Sequence, residues 1–258
     1  MVLAIDVGNT NIVIGCIEDD GGCRVFRMLS DLSKTEDEYA IGIKQILEFN
    51  GFDCNHFDGA IISTVVPPLL TVLKSAIRKL TGLEPIVVGA GIKTGLNILL
   101  DDPGTLAGDL VATSVAALAT YKPPIIIFDM GTATTIAVID GQGNYLGGAL
   151  FPGVALSMNA LASGTSQLPK VPIEPPAKVI SSNTIDCMKS GAIYGTAAMI
   201  DGMIERMEAE LGAAASAIAT GGLSSKVIPY CKHEVIYDEN LLLRGLGIIY
   251  EKNKKGKK

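Results

Sequence analysis

The first half of the chain opens with three short apolar runs separated by glycine and aspartate turns. VLAID, NIVIGCI and RVFRMLS predict three strands, and the clearest turn is the Asp-Asp-Gly-Gly sequence at residues 19–22. From Ser33, apolar residues recur at helical spacing behind an acidic first turn, which predicts a helix. A strand at GAIISTVV, a helix at PPLLTVLKSAIRKL and a strand at PIVV complete this half.

The second half repeats this order with different residues. PPIIIFDMG, TTIAVID and NYLGGALF predict three strands, followed by a helix from Val154 to Ala162 and a proline-rich connection from Gln167 to Pro176. The long pattern CMKSGAIYGTAAMIDGMIERMEAEL predicts a helix, AIAT and EVIY predict strands, and LLLRGLGIIYEK predicts a last helix before a solvated basic tail, KNKKGKK. We therefore predict an α/β protein with two domains of repeated topology, 1–118 and 119–258.

Composition and charge narrow the class of protein. The 258 residues are 48% apolar and 19% charged, which is typical of a globular protein and excludes a disordered or collagen-like chain. The net charge of −6 argues against nucleic acid or an anionic membrane as a partner. We see neither a membrane span nor a signal peptide in the sequence.

Cysteine and histidine usage points to a cytoplasmic protein. The five cysteines are scattered without a CxxC pair, which favours reduced thiols. The two histidines, His56 and His233, are isolated from each other and from the cysteines, so we do not expect a zinc site.

Similar chemistry stands at the start of both halves. Asp-Val-Gly-Asn-Thr-Asn (residues 6–11) and Asp-Met-Gly-Thr-Ala-Thr-Thr (residues 129–135) each place a carboxylate at a strand end, followed by a glycine turn and hydroxyl or amide side chains. Glycine allows close backbone approach, and successive N–H groups form a nest for phosphate oxygens. The aspartates suit Mg²⁺ or K⁺ that neutralises the phosphate. Either loop alone also fits an ordinary hairpin turn, but two in equivalent places favour a phosphate clamp.

Two further segments fit a nucleotide site. Ala-Thr-Gly-Gly-Leu (residues 219–223) follows a strand, and its glycines permit an adenine to lie against the backbone, although a simple turn is the alternative. Ala-Gly-Asp-Leu (residues 107–110) precedes a helical stretch. Asp109 is therefore either a helix N-cap or a base that accepts a hydroxyl proton as the oxygen attacks a γ-phosphate. Neither a P-loop nor a Rossmann fingerprint is present.

Together these residues resemble the type III pantothenate kinases. DVGNTNIVIG and DMGTATT resemble the two phosphate motifs of that family, and FPGVALSMNAL, Leu168-Pro169, GAIYGTAAMIDGMIERM, ATGGL and LLLRGLG resemble later segments in the same order. The resemblance covers about Ala4 to Tyr250. It implies an actin-like fold of the acetate- and sugar-kinase superfamily, with two ribonuclease-H-like domains around a nucleotide cleft.

The resemblance also implies a reaction and a set of site residues. The reaction is ATP-dependent phosphorylation of the primary hydroxyl of pantothenate, the first step towards coenzyme A, by a homodimer that uses Mg²⁺ and K⁺ or NH₄⁺. Asp109 would be the catalytic base, Asp129 would bind the monovalent cation, and Asp6 would lie closest to Mg²⁺. The residues expected to bind ATP are Asp6, Val7, Gly8, Asn9, Thr10, Asn11, Ile12, Val13, Thr132, Gly221 and Gly222. Those expected to bind pantothenate are Ala107, Gly108, Asp109, Leu110 and Thr184; a helix N-cap is the alternative for Thr184.

One position departs from the family pattern. Family members read Gly-Ala-Asp-Arg around the base, and the arginine suits the carboxylate of pantothenate, whereas Leu110 stands here and no basic residue follows before Lys122. A kinase of another hydroxyl acceptor therefore stays open as an alternative. A non-catalytic nucleotide-binding regulator is a third hypothesis, but retention of Asp109 argues against it because a pure binder needs no base.

Overall fold

The computed structural model describes residues 1–18 and 21–254. Two residues of the predicted turn, Asp19 and Asp20, and residues 255–258 of the predicted tail lie outside these ranges. The strands are β1 (Val2–Val7), β2 (Asn11–Ile17), β3 (Cys23–Leu29), β4 (Gly59–Thr64), β5 (Ile86–Val87), β6 (Asn97–Ile98), β7 (Ile125–Met130), β8 (Ala133–Ile139), β9 (Asn144–Pro152), β10 (Ser216–Thr220) and β11 (Ile236–Tyr237). The α-helices are α1 (Glu36–Phe49), α2 (Pro67–Thr81), α3 (Gly108–Thr120), α4 (Val154–Gly164), α5 (Thr184–Ser190), α6 (Thr196–Leu211), α7 (Ser224–Val227) and α8 (Leu241–Asn253).

The described chain divides into two compact units. The first contains Met1–Leu96, Asp102–Ala116 and the described residues from Asn240 onward, and the second contains Asn97–Asp101 and Ala117–Glu239. The sequence placed the last helix in the second domain, but α8 belongs to the first unit because its apolar residues Leu243, Leu246 and Ile249 share a core with β1 and β4.

The first unit is a mixed sheet covered by helices on both faces. Its strand order is β3-β2-β1-β4-β5, with β1 antiparallel to β2 and parallel to β4. Alternate residues of β1 enter different cores, as the two-residue period of a strand requires. Leu3, Ile5 and Val7 pack with α1 and α2, whereas Val2 and Ala4 pack with α3 and α8.

The second unit repeats this topology. Its order is β11-β10-β7-β8-β9-β6, so β9-β8-β7-β10-β11 corresponds strand for strand to the first sheet. The predicted repetition is therefore confirmed. β6 is an addition that pairs in parallel with β9, and it was not predicted from the sequence. Ile126, Phe128 and Met130 form the core on one face with α4, α5 and α6.

The predicted long helix is interrupted. Its pattern is divided between α5 and α6 by a π-helical turn at Gly191–Gly195. A π-turn inserts one extra residue and is frequent at functional sites.

Among the residues that the structure describes, no helix has the length and apolar character needed to cross a membrane.

Glycine in α8 allows this helix to lie directly on α3. A Cβ at Gly245 would overlap the backbone carbonyl group of Ala112, whereas one at Gly247 would meet only the side chain of Ile17, at 3.2 Å. The position of α8 against α3 therefore depends on the missing side chain of Gly245.

We expect Gly245→Ala to lower the free energy of unfolding by about 2 kcal/mol, because overpacking against backbone outweighs the gain of about 1 kcal/mol in helix propensity. Gly247→Ala in the same helix is the control, and its stability should equal or exceed that of the wild type since the tip of Ile17 can move. Urea unfolding of both variants measures the difference. Equal stability of the two variants would contradict the close contact.

Candidate active site

The loop after β1 is held in one conformation by hydrogen bonds. The N–H of Gly8 donates to the carbonyl of Asn11 at 3.0 Å. From the end of β3, the Ser30 hydroxyl donates to the Gly8 carbonyl at 2.6 Å, and the Ser30 N–H donates to the Thr10 carbonyl at 3.1 Å. The side chains of Asn9, Thr10 and Asn11 are exposed, so this rigid loop presents polar groups to solvent.

Not every residue of this segment that is predicted to bind ATP can contact a ligand through its side chain. Val7 and Ile12 are fully buried in the core, so only their backbone can contact a ligand. Asp6 and Val13 are half-buried and lie opposite each other in the β1–β2 register. The carboxylate of Asp6 therefore stands at a strand end beside the exposed loop.

Asp109 lies inside the first turn of α3. The helix begins at Gly108, and the carboxylate accepts the N–H of Leu110 at 2.7 Å. An N-cap side chain accepts from two or three residues further along, so the alternative that Asp109 is the cap is wrong. Ala107, Gly108 and Leu110 are half-buried like Asp109 itself.

Burial controls the acidity of this carboxyl group. Loss of water around the Asp109 carboxylate raises its pKa above the ordinary value, and hydrogen bonds from the backbone N–H groups of Leu110 and Asp109 oppose part of that rise. A carboxylate whose pKa is raised accepts a proton more readily than an exposed one. Its position and its environment both suit a base.

The equivalent loop of the second unit is one residue shorter. Asp129 is opposite Thr135 across β7 and β8, and the N–H of Gly131 donates to the Ala133 carbonyl at 3.0 Å. Thr220 of β10 is the other in-register neighbour of Asp129. In-register neighbours project from the same face of a sheet, so a carboxylate is flanked by two hydroxyl groups.

Such a set of oxygen ligands suits a cation. In residues 1–18 and 21–254 no group of three or more His, Cys, Asp and Glu side chains is placed to hold a metal ion. A cation at Asp6 or Asp129 would therefore be completed by hydroxyl, backbone, water or phosphate oxygens, which are the ligands that Mg²⁺ and K⁺ accept.

The two glycines after β10 differ in their surroundings. Gly221 has a φ of +93°, and a Cβ there would come within 2.7 Å of the Met130 backbone. Gly222 is exposed and has open space around it. Gly221 therefore allows the chain to pass over the end of β7, which brings the exposed Gly222 beside the loop of Asp129 and Thr132.

Thr184 lies in another part of the second unit. Asn183 is the N-cap of α5, accepting the N–H of Asp186 at 2.9 Å, so the alternative that Thr184 is the cap is wrong. Thr184 borders a cavity of about 600 Å³ whose walls are mostly apolar. Its largest lining side chains are Phe151, Met158, Leu161, Leu168, Met188 and Met199.

Sequence reasoning missed this cavity, although a signal existed. Met188, Ala192, Gly195 and Met199 recur at helical spacing and all line it. Apolar residues at this spacing normally form part of a packed core. Here the glycines of the π-turn leave a cavity instead, because a Cβ at Gly191 or Gly195 would meet nothing within 4 Å.

Within the first unit, Asp6 and the start of α3 lie on the same face of the sheet, whereas Val7 and Ile12 point into the core on the other face. Asp6 is in register with Ser63, and Ser63 contacts Gly108 immediately before Asp109. Within the second unit, Asp129, Thr132 and Gly221 gather at the ends of β7 and β10, and Thr184 lies at the cavity.

Comparison with a solved structure agrees with this fold. A ROK family glucokinase from Streptomyces griseus, in complex with glucose and AMPPNP, superposes with a TM-score of 0.55 over 97% of this chain and 98% of that one, at 13% identity. The chain therefore has the actin-like ATPase and sugar-kinase fold, with two sheets of equivalent topology.

Comparison of sequences is more specific. Proteins named type III pantothenate kinase from Bacillus cytotoxicus and Halalkalibacterium halodurans are each 40% identical to this chain over 253 residues, which is 98% of this chain and 97% and 100% of theirs. The sequence model described as type III pantothenate kinase matches residues 2–206. The chain belongs to the type III pantothenate kinase family.

Proposed function

We propose that this protein transfers the γ-phosphoryl group of ATP to the primary hydroxyl of pantothenate, the first step of coenzyme A synthesis. The observation that carries the proposal is the repeated sheet with an Asp-x-Gly loop at the same strand end in each unit, in a chain that matches this family over almost its whole length. Coupled detection of ADP release with and without pantothenate tests it. ADP release that does not depend on pantothenate, or none at all, would contradict the proposal.

The exposed loops would hold ATP. The rigid loop at Gly8–Asn11 supports phosphate binding through its backbone N–H groups and its Asn and Thr side chains, and Val7, Ile12 and Val13 would contribute through the strand backbone. Thr132 would contact the phosphates from the second unit, and Gly221 and Gly222 would lie against the adenosine. Mg²⁺ would bind beside Asp6 and neutralise charge on the phosphoryl oxygens.

Asp109 would orient the acceptor hydroxyl and accept its proton as the oxygen attacks phosphorus. Its half-buried position, its raised pKa and the N–H groups of the first turn of α3 support that role. Ala107, Gly108, Leu110 and Thr184 would contact pantothenate.

We expect Asp109→Asn to lower kcat by ~10²–10⁴-fold with ATP affinity nearly unchanged, because the amide cannot accept the proton. Steady-state kinetics and a direct ATP-binding measurement check both halves of this statement. Asp102→Asn is the matched control, since Asp102 only caps a short turn through the N–H of Gly104 and asparagine caps equally well. A near wild-type kcat for Asp109→Asn would remove Asp109 as the base.

Asp129 would bind K⁺ or NH₄⁺. The flanking hydroxyl groups of Thr135 and Thr220 support a large monovalent ion that offsets phosphate charge without competing for the Mg²⁺ position.

We expect the rate to fall when K⁺ is replaced by Na⁺ at constant ionic strength, which separates a specific site from general screening. Asp129→Asn should reduce the rate in K⁺ and remove most of the difference between the two salts. Equal wild-type rates in K⁺ and Na⁺ would exclude this role for Asp129.

Leu110 stands where the family has an arginine for the pantothenate carboxylate. A charge-assisted hydrogen bond to arginine contributes about 1.5–3 kcal/mol. We therefore expect Leu110→Arg to raise kcat/KM for pantothenate by about ten- to a hundredfold. Leu110→Gln, which is similar in size but uncharged, is the control. If arginine gives no more than glutamine, another group of the protein already binds the carboxylate.

We also propose a cytoplasmic homodimer. The cysteines are free thiols, and burial raises the pKa of Cys16 to about 12 and of Cys231 to about 11, which suits stable reduced groups in the cytoplasm.

Apolar side chains of the second unit are exposed, with Leu150 of β9 71% accessible and Leu156 and Leu161 of α4 close to half accessible. An uncovered apolar surface of this kind is typical of a subunit interface.

We expect sedimentation of the wild type to give the mass of a dimer. Leu150→Glu should shift the protein towards the monomer, because the new charge would be buried in the dimer interface without a partner. Phe49→Glu is the control, since Phe49 is 91% exposed in the first unit. A wild-type monomer at assay concentration, or equal effects of both variants, would contradict the interface.

A further inference from the structure

A buried serine lies against the first turn of α3, next to Asp109. Ser63 stands near the carboxyl end of β4 and has no exposed surface. A Cβ at Gly108 would be 3.1 Å from the Ser63 hydroxyl oxygen, so this oxygen packs against the backbone of Gly108. Since Gly108 directly precedes Asp109, Ser63 supports the turn that carries the proposed base.

The Ser63 hydroxyl has no hydrogen-bond partner among the residues that the structure describes. Burial of an unpaired hydroxyl is unfavourable, and most buried polar side chains in folded proteins have a partner. The described chain has one other such group, the hydroxyl of Ser114 further along α3. The two serines thus share burial and lack of a partner, but only Ser63 contacts the turn before Asp109.

One strand neighbour of Ser63 is acidic. Asp6 is its in-register partner across the parallel β1–β4 pair, and the two side chains project from the same face, the face covered by α3. Ser63 therefore lies beside Asp6 in the sheet and against Gly108 at the start of α3. A hydroxyl in this place can donate to a carboxylate that moves towards it.

We infer that Ser63 is a positioning residue for Asp109, and that its hydroxyl donates to the Asp109 carboxylate when the carboxylate turns from the Leu110 N–H towards the acceptor hydroxyl. The inference rests on the proposed function. As the acceptor oxygen forms its bond to the γ-phosphorus and the bond to the leaving oxygen of ADP breaks, one Asp109 oxygen takes the acceptor proton. Ser63 holds the other oxygen and neither gains nor loses a proton.

Ser63→Ala tests this role with Ser114→Ala as the matched control. Neither substitution is expected to lower the melting temperature, because each removes a buried hydroxyl that has no partner. Ser63→Ala should lower kcat about tenfold, with KM for ATP and for pantothenate within about twofold of the wild type, since a hydrogen bond to a charged group is lost in the reacting state. Ser114→Ala should leave kcat unchanged.

A double-mutant cycle identifies the group through which Ser63 acts. If Ser63 acts through Asp109, adding Ser63→Ala to Asp109→Asn should lower kcat no further. If Ser63→Ala is poorly folded, Ser63→Cys, which is close in size and a weaker donor, should show the same kinetic pattern.

Four results would overturn the inference. They are a kcat for the folded Ser63 variant within about twofold of wild type, an equal loss in Ser114→Ala, a rise in KM for ATP instead of a fall in kcat, and an undiminished loss in the Asp109→Asn background. Absence of pantothenate-dependent ADP release by the wild type would instead overturn the proposed function, and the inference with it.

Discussion

The pairing of β1 with β4 fixes where polar groups can stand in the first unit. Both faces of this sheet are covered by helices, so successive residues of β1 alternate between two apolar cores. A slip of one residue would move Asp6 to the face of Leu3 and Ile5, where its charge would have no water and no partner. The register that buries the apolar residues therefore also places Asp6 beside Ser63, on the face that α3 and α8 cover.

In the second unit, close backbone contacts at two glycines hold the loop after Asp129. A Cβ at Gly221 would collide with the backbone of Met130, and one at Gly153 would overlap the carbonyl groups of Gly131 and Thr132. These glycines allow three chain segments to meet around the loop after Asp129 at distances that exclude any side chain. The N–H groups of Gly131 and Gly153 donate to the carbonyls of Ala133 and Thr132, so this close packing fixes the shape of the loop.

The sequence was sufficient for the order of most elements and for the repetition, because the apolar runs of β1 and β7 and the helical spacing in α6 are strong patterns. Sequence patterns were less informative where contacts between distant segments determine the structure. The assignment of α8 to the first unit depends on a contact at Gly245, and the π-turn that shapes the cavity has no local signal in GAIYG. The capping alternatives for Asp109 and Thr184 were excluded only by the structure, in which α3 already begins at Gly108 and Asn183 is the N-cap of α5.

The role of base that we propose for Asp109 would place two opposing demands on its carboxyl group. A base must be ionised before the reaction, yet it must also bind a proton firmly once the acceptor oxygen attacks. Burial alone would raise the pKa of Asp109 and favour the protonated acid, whereas N–H groups at the start of a helix favour the carboxylate. In the first turn of α3, half-buried and bonded to the Leu110 N–H, Asp109 keeps a raised pKa, because the N–H groups oppose only part of the effect of burial. In the role that we infer for Ser63, the carboxylate loses that bond when it turns towards the acceptor. The Ser63 hydroxyl, which has no partner among the described residues, would replace the lost donor.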